Sequence, residues 1–272
     1  MIPNRIKTLW AEGKPAINGW LSIGNGFSAE IMASAGYDSV TADLQHGAFD
    51  YGAALGMFQA MRASGVAVMA RVPWLDPGAI MKALDAGAYG IICPMINSRE
   101  EAEHLVSYVR YPPAGTRSFG PTRVNFSAGT DYGTQADGNV LCFAMIETRE
   151  AYERVDEIAA TPGLDGLYIG PADLTLGLTG RTYRTGFDRE EPEMVEAIRH
   201  VLDVAHKAGI RAALHNGSAA YAAKAAGWGF DLVTVSNDVR LLAGAAEASV
   251  GEVRRLLGEA AAAPDKGGPG GY

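Results

Sequence analysis

One short pattern recurs along the chain and constrains its fold more than any other feature. A helix-like stretch ends in Ala-Gly or Ser-Gly and a short apolar run follows, as in MASAGYDSVTAD, MRASGVAVMAR, ALDAGAYGIICP, AHKAGIRAAL and KAAGWGFDLVTV. Glycine just past a helix adopts the left-handed conformation without steric cost. The pattern therefore predicts helix C-caps at Gly36, Gly65, Gly87, Gly209 and Gly227, each followed by a strand.

The runs after these glycines mostly do not alternate with polar residues, which is typical of parallel strands buried on both faces. With GWLSIG, VLCFAMI and DGLYIG there are eight such runs, ending near residues 24, 43, 71, 93, 146, 170, 214 and 235. Eight alternating strands and helices in 272 residues predict a single-domain (β/α)₈ TIM barrel over residues 1–258. A doubly wound open sheet is the alternative.

Three segments fall outside the repeated units. Residues 111–139 are rich in Gly and Pro and predict a long loop between the fourth and fifth strands. Residues 179–192 predict a second, polar insertion after the sixth strand. Long loops of this kind often carry function. Residues 259–272, which end in APDKGGPGGY, predict a flexible C-terminal tail.

The charge and the cysteines indicate where such a chain works. Its 23 Lys and Arg against 31 Asp and Glu give a net charge of −8, which argues against nucleic acid or an anionic membrane as a partner. We find no pattern of a signal peptide or of a membrane-spanning run. Cys93 and Cys142 both lie inside apolar runs, which indicates a reducing compartment. We therefore expect a cytoplasmic protein.

Polar residues stand at the C-terminal ends of the predicted strands, where βα barrels carry their active sites. They are Asp43, Gln45 and His46 after the second strand, Arg71 after the third, Glu147 after the fifth, Asp173 after the sixth, and His215 and Asn216 after the seventh. Each alone is also explained as a helix cap or a solvated loop charge. Three carboxylates, an arginine and a histidine at one face together predict an active site.

The residue types indicate the chemistry. Glu147 and Asp173 suit a hard divalent cation, although an N-cap role is credible for Asp173. Arg71 directly follows a buried run and so requires an anionic partner. His46 comes three residues after Asp43, close enough for the carboxylate to orient the imidazole as a general base.

The lysines argue against imine chemistry. None of the six stands at the C-terminal end of a predicted strand, where a Schiff-base lysine would have to meet its substrate: Lys7, Lys14, Lys82, Lys207, Lys224 and Lys266. Stabilisation of a carbanion would then fall to a metal.

One motif favours a different function. The segment from Gly24 through Gly26 to Ala29, with Asp43 at the end of the next strand, formally matches a dinucleotide-binding fingerprint. That interpretation gives the strand-end residues no role, and the helix that follows is short. A dinucleotide-dependent oxidoreductase and a non-catalytic binding protein on the same barrel remain alternatives.

At these residues the chain resembles the HpcH/HpaI aldolases, class II enzymes that act on pyruvate-type substrates. The matching segments are VTADLQHGAFD (40–50), PMINSREEAEHLVSYVRYPPAGTRSFGP (94–121), MIETREA (145–151) and YIGPADL (168–174). The resemblance extends from about residue 17 to 255. It implies a TIM barrel that assembles as a homohexamer, a trimer of dimers in which the C-terminal helix is exchanged between partners.

Carried over by position, the resemblance implies a role for each candidate. Glu147 and Asp173 would ligate the divalent metal, Mg²⁺, Mn²⁺ or Co²⁺. Arg71 would stabilise the enolate oxygen, and His46, oriented by Asp43, would handle the proton of the aldol hydroxyl.

Substrate binding is assigned to the main chain around Gly170, Ala172 and Asp173, which would hold the carboxylate, and to Leu214. The implied activity is metal-dependent, reversible cleavage of 4-hydroxy-2-oxo acids to pyruvate or hydroxypyruvate and an aldehyde. An acyl-CoA lyase of the same metal-enolate type is the alternative.

Overall fold

Eight parallel strands close into a barrel in the computed structural model, which describes residues 1–258. The strands are β1 (Ala16–Leu21), β2 (Ser39–Asp43), β3 (Ala67–Arg71), β4 (Gly90–Cys93), β5 (Leu141–Ile146), β6 (Gly166–Ile169), β7 (Arg211–Asn216) and β8 (Leu232–Val235). Strand β1 pairs with both β2 and β8, so the sheet has no edge. The predicted barrel is confirmed and the open sheet is wrong. The predicted tail at 259–272 lies outside the described residues.

Thirteen α-helices and one 3₁₀ turn (Met61–Ser64) lie in residues 1–258. The first seven are α1 (Arg5–Ala11), α2 (Gly26–Ser34), α3 (Tyr51–Ala60), α4 (Pro77–Asp85), α5 (Arg99–Val109), α6 (Val124–Ala128) and α7 (Tyr132–Asn139). The others are α8 (Arg149–Glu153), α9 (Val155–Ala159), α10 (Pro171–Thr179), α11 (Pro192–Lys207), α12 (Ala219–Trp228) and α13 (Asp238–Leu256). None of these helices has both the length and the apolar character that crossing a bilayer requires.

Four of the five predicted glycine C-caps are confirmed by positive φ angles of 95°, 77°, 111° and 77°, at Gly36, Gly65, Gly87 and Gly209. The prediction at Gly227 is wrong, because α12 continues through Trp228. The Trp228 ring packs edge-on against Tyr221, with 5.7 Å between the ring centroids. The left-handed residue that ends the helix is Gly229, at φ 113°.

The predicted loop at 111–139 contains the short helices α6 and α7, which is a correction to the sequence analysis. Its buried apolar residues recur every four positions, at Val124, Ala128, Tyr132 and Ala136. That spacing is a helical period, which the many glycines and prolines of the segment obscure. Arg117 fixes the segment by donating hydrogen bonds to the Tyr132 hydroxyl (3.0 Å) and to Asp85 (2.6 Å).

Side chains along each strand alternate between the barrel interior and the layer of helices outside it. In β3, for example, Ala67 and Met69 belong to the inner apolar cluster, whereas Val68 and Ala70 belong to the outer one. This alternation follows from the period of two residues in a strand. It decides which strand-end side chain can reach the mouth of the barrel.

Helix α1 closes the N-terminal end of the barrel. Its Ile6 and Trp10 join the inner cluster, and the Trp10 ring lies edge-on to Phe143 at 6.3 Å. The indole N–H of Trp10 donates to the main-chain oxygen of Asp231 at 2.8 Å, just before β8. Burying large side chains of this kind stabilises the fold by about 1.5–3 kcal/mol each. The polar residues lie at the opposite end of the barrel, where the strands have their C-terminal ends.

A buried arginine supplies a test of the fold. Arg110 donates to the Val140 carbonyl (2.7 Å) and to Asp165 (2.5 Å), and it is almost excluded from solvent. We expect Arg110→Ala to lower the free energy of unfolding by about 3 kcal/mol, because it removes one partner of a buried ion pair.

The matched control is Arg99→Ala, which breaks an exposed pair with Glu103. That substitution should cost less than about 0.5 kcal/mol. Urea unfolding followed by circular dichroism measures both changes. Equal losses for the two variants would contradict the assignment of Arg110 to the buried framework.

Candidate active site

The ends of β2 and β3 place two charged side chains against each other. Asp43 and Arg71 are register partners, and both point into the barrel. Arg71 Nε donates to Asp43 Oδ1 at 2.8 Å and Nη2 donates to Oδ2 at 2.5 Å, with both residues at most 2% exposed. A buried ion pair is tolerated only when its geometry is good and its remaining hydrogen-bonding groups are satisfied.

Further donors satisfy the Asp43 carboxylate. The Trp20 indole N–H donates to Oδ2 at 3.2 Å, and the main-chain N–H groups of Gln45 and His46 donate to Oδ1 at 3.1 and 3.2 Å. Burial by itself would raise the pKa of Asp43, but the hydrogen bonds and positive charge of Arg71 outweigh it and lower the pKa. The anionic partner that Arg71 requires is therefore Asp43.

His46 lies in the exposed turn after β2. The Asp43 carboxylate binds the main-chain N–H of this residue and so fixes the turn. The turn is tight, because a Cβ at Gly47 would lie 2.3 Å from the Asp43 main-chain oxygen. The structure thus places His46 at the rim of the barrel. That Asp43 also orients its imidazole stays a prediction.

Glu147 follows β5 and is 2% exposed. Its Oε1 accepts the Met95 main-chain N–H at 2.8 Å, and Met95 reaches that position with a φ of 56°, which is uncommon outside glycine. A Cβ at Gly170 would lie 2.7 Å from Glu147 Oε2, so any side chain at this position would have to displace the carboxylate. Burial raises the pKa of Glu147 to about 7; the Met95 hydrogen bond opposes this shift, and the negative charge of Asp173 adds to it.

Asp173 lies in the first turn of α10, which Pro171 begins. The first hydrogen bond of that helix runs from the Leu174 N–H to the Gly170 carbonyl at 3.0 Å. The amides of Ala172 and Asp173 come before it, in the first turn, where the N–H groups of a helix point outward from its N-terminus. A helix N-terminus with such amides attracts a carboxylate or a phosphate.

A cavity at the C-terminal mouth brings some of the predicted residues together, whereas Asp43, His46 and Glu147 are not among its lining residues. It is lined by Arg71, Met145, Gly170, Ala172, Asp173, Phe187 and His215. Four of the predicted residues line it, namely Arg71, Gly170, Ala172 and Asp173. The sequence analysis missed Met145 and Phe187 and gave His215 no role. Phe187 comes from the insertion predicted at 179–192, which accordingly contributes to the site.

The side chain of Leu214, a predicted substrate-binding residue, points away from the cavity. Its side chain is fully buried in the outer apolar cluster, between the strands and the helices. Strand alternation turns the next residue, His215, into the barrel instead. The period of two residues within RAALHN is the sequence signal that distinguishes the two positions.

The turn that resembles a dinucleotide fingerprint has a packing explanation. A Cβ at Gly24 would lie 2.3 Å from the Phe49 Cβ, so the position requires glycine. The Asn25 side chain accepts the N–H groups of Phe27 and Ser28 and thereby caps α2. These residues bring the chain from β1 into a short helix of a closed barrel.

The donor set at the mouth fits a divalent cation. Glu147 and Asp173 offer hard oxygen ligands, and the negative charge of Asp173 disfavours the ionised form of Glu147, a repulsion that a cation would relieve. No cluster of three or more His, Cys, Asp or Glu side chains suited to a metal occurs within residues 1–258. Two protein ligands leave coordination positions for water and substrate.

Comparisons with known proteins find relatives over most of the chain. The sequence model of the HpcH/HpaI aldolase/citrate lyase family matches residues 18–238. A hydroxypyruvate/pyruvate aldolase from Rhizorhabdus wittichii is 44% identical over 93% of this chain and 100% of its own. A 5-keto-4-deoxy-D-glucarate aldolase from Escherichia coli is 31% identical over 91% of this chain and 95% of its own. A crystal structure of an HpcH/HpaI aldolase/citrate lyase family protein from Burkholderia cenocepacia superposes on this chain with a TM-score of 0.84. The two sequences are 32% identical, and the match covers 92% of this chain and 99% of the other.

The ion pair at the mouth predicts a pH-dependent loss of stability. Asp43→Asn keeps the shape of the side chain but leaves the buried Arg71 without its counter-ion, so we expect a cost of about 3–5 kcal/mol at neutral pH. The folded-state pKa of Asp43 lies below its unfolded value. Its contribution is therefore present above about pH 4 and is lost as the pH falls through the folded-state pKa.

Urea unfolding of wild type and variant across pH measures this difference. The difference in free energy of unfolding between wild type and variant, here called the gap, should be constant between about pH 5 and 8 and should shrink below about pH 4. Asp76→Asn, at the exposed N-cap of α4, is the control and should show a small gap. An undiminished gap at the acid end would refute the ionic role of Asp43.

Proposed function

The chain belongs to the HpcH/HpaI aldolase/citrate lyase family, and we propose that it reversibly cleaves 4-hydroxy-2-oxo acids to pyruvate or hydroxypyruvate and an aldehyde. It is a carbon–carbon lyase of the class that depends on a divalent metal. One observation carries the proposal: a buried arginine, a metal-type carboxylate and a helix N-terminus, at Arg71, Asp173 and α10, face one cavity.

The N-terminus of α10 suits the carboxylate of a 2-oxo acid. The amides of Ala172 and Asp173 donate to it, and the helix dipole favours its charge. Met145 and Phe187 supply apolar walls beside it. Such walls exclude water and strengthen the electrostatic interactions inside the cavity.

Cleavage creates negative charge that the protein must stabilise. The C4 hydroxyl gives up its proton, the aldehyde carbonyl forms as the C3–C4 bond breaks, and the electrons of that bond become an enolate. The enolate then takes up a proton at C3 to give pyruvate or hydroxypyruvate. Arg71 presents a positive charge where the enolate oxygen develops, and Asp43 holds that charge in place before substrate arrives. A divalent cation held by Glu147 and Asp173 supplies Lewis-acid stabilisation of the same charge when it is bound.

His46 is our candidate for handling the hydroxyl proton. It lies on the turn that follows Asp43, at the rim where an aldehyde would depart. A water molecule would connect its imidazole to the C4 hydroxyl. The aldehyde produced in the cleavage direction leaves through this open side, whereas the enolate stays in the buried part of the cavity.

Our proposal extends to the metal, the assembly and the compartment. We propose Mg²⁺, Mn²⁺ or Co²⁺, held exchangeably because the protein provides two ligands.

Helix α13 exposes apolar side chains, with Leu242 64% and Leu256 69% exposed. Such a face supports a homo-oligomer, a trimer of dimers in which this helix is exchanged. The buried, unpaired Cys93 and Cys142 support a cytoplasmic location.

The deciding experiment for the reaction is a substrate panel. Release of pyruvate and of hydroxypyruvate is measured from a series of 4-hydroxy-2-oxo acids with added Mg²⁺ or Mn²⁺. A parallel series of acyl-CoA thioesters tests the alternative lyase. Turnover confined to the thioesters would reject the aldolase in favour of that alternative.

We expect activity to depend on a divalent metal and to involve no imine. EDTA should abolish turnover, and Mg²⁺, Mn²⁺ or Co²⁺ should restore it. Glu147→Gln should lose most of the metal response while staying folded, whereas Glu153→Gln, at an exposed position of α8, should behave like wild type. Borohydride with pyruvate should leave the protein unmodified. Full activity in chelator, or a pyruvyl-lysine adduct in the mass spectrum, would refute the mechanism.

The proton-transfer role of His46 predicts a large loss of rate. His46→Ala should lower kcat for aldol cleavage by about 10²-fold or more, the usual contribution of a general acid–base group. His104→Ala, at an exposed position of α5, is the control and should leave kcat unchanged. Near-normal turnover of a folded His46 variant would remove this residue from the mechanism.

A further inference from the structure

A chain of hydrogen bonds crosses the barrel interior and ends on His215. Asn18 Nδ2 donates to Thr234 Oγ1 at 2.9 Å, the Thr234 hydroxyl meets the Tyr168 hydroxyl at 2.7 Å, and Tyr168 meets His215 Nδ1 at 3.1 Å. These residues stand on β1, β8, β6 and β7. Three of them are fully excluded from solvent, and His215 is 6% exposed. We call this series of hydrogen bonds the interior chain, and the proposed reaction has no role for it.

The direction of the interior chain is set at Asn18. The hydroxyls of Ser39 and Thr41 both donate to Asn18 Oδ1, at 2.8 and 3.1 Å. Turning the amide around would leave two buried hydroxyl hydrogens without an acceptor, which is costly. The amide NH₂ of Asn18 therefore points to Thr234.

That direction carries through to the histidine. Thr234 Oγ1 accepts from Asn18, so its own hydrogen goes to the Tyr168 oxygen, and the Tyr168 hydroxyl donates to His215 Nδ1. The reverse order would leave the Thr234 hydrogen without an acceptor, because Asn18 and Tyr168 are the two hydrogen-bond partners of this hydroxyl within residues 1–258. His215 thus accepts at Nδ1 and carries its proton on Nε2. Burial, and then the positive charge of Arg71, lower the pKa of His215 to about 3, so the ring is neutral.

His215 lines the active-site cavity, and its Nδ1 bonds the Tyr168 hydroxyl within the barrel. Nε2 lies on the side of the ring away from Tyr168 and is therefore the nitrogen available to the cavity, and no residue within 1–258 forms a hydrogen bond with it. The Trp20 and Phe187 rings hold the imidazole from two sides, at centroid distances of 4.7 and 4.5 Å. The ring is therefore fixed in position, in rotation and in tautomer, with an N–H donor directed at the substrate.

We propose that His215 selects hydroxypyruvate over pyruvate by donating a hydrogen bond from Nε2–H to the hydroxyl on C3 of the donor substrate. This assignment rests on the proposed aldolase function. The substrate carboxylate is matched by the amides of α10 and the keto oxygen by Arg71, which leaves the C3 hydroxyl without a partner. His215 is a neutral donor next to the apolar Phe187, which suits an uncharged hydroxyl.

Pyruvate offers no oxygen at this position. With pyruvate bound, the Nε2–H would be buried without an acceptor, and such an orphaned donor costs far more than a missing methylene does. The interior chain increases the discrimination, because it prevents the ring from turning the N–H away. Tyr168 is accordingly a positioning residue that acts through His215.

The first test compares the two donors in His215→Phe. We expect the ratio of kcat/KM with hydroxypyruvate to kcat/KM with pyruvate to fall by about tenfold or more, because hydroxypyruvate loses a hydrogen bond and pyruvate no longer buries an orphaned donor. His215→Gln, which keeps an N–H donor, should retain part of the preference for hydroxypyruvate. The control His104→Phe should leave the ratio of the two kcat/KM values unchanged. Tyr168→Phe should shift the ratio in the same direction as His215→Phe, by a smaller factor. An unchanged ratio in both His215→Phe and Tyr168→Phe would overturn the proposal.

The second test reads the tautomer without turnover. Long-range ¹H–¹⁵N correlation spectra of wild type labelled with ¹⁵N-histidine should find His215 protonated at Nε2 and bare at Nδ1, unchanged between about pH 5 and 8. Tyr168→Phe should give a mixture of tautomers. A proton on Nδ1 in wild type would overturn the proposal. Absence of any aldol cleavage by wild type would instead reject the proposed function, which the substrate panel tests separately.

Discussion

The mouth of the barrel depends on the ion pair between Asp43 and Arg71. Five hydrogen bonds converge on the Asp43 carboxylate, from two nitrogens of Arg71, from the Trp20 indole and from two amides of the following turn. This arrangement offsets the desolvation of both charges. It also ties β1, β2 and β3 to the turn that carries His46. The positive charge of Arg71 is therefore held in place without substrate, which is the preorganisation that the proposed stabilisation of an enolate requires.

The order of strands could be predicted because two independent local signals coincide. A glycine ends the helix and a non-alternating apolar run begins the strand, and neither signal depends on distant residues. The same locality explains the errors. Gly227 is followed by Trp228, whose contact with Tyr221 extends α12 past the expected end. In 111–139, abundant glycine and proline obscured a four-residue spacing that packing turns into two helices.

The site could be predicted only in part, because standing at the end of a strand does not say which way a side chain points. Asp43, Arg71, Glu147 and His215 share the inward direction of their strands, whereas Leu214 has the outward one. Counting in steps of two along each strand would have separated them. No such count finds Phe187, which a long insertion brings to the cavity. Its position depends on tertiary packing, to which local periodicity is blind.

The mouth divides into a charged half and a neutral half, and one residue links them. On β2 and β3, ionised side chains suit a reaction that develops and moves charge. On β1 and β6 to β8, the interior chain from Asn18 to His215 consists of neutral groups, which suit the proposed recognition of the uncharged part of a substrate. After burial, the charge of Arg71 contributes most to keeping His215 neutral. The positive charge of Arg71, which Asp43 holds in place, thus also keeps His215 neutral. The charged and neutral halves of the mouth therefore depend on each other electrostatically.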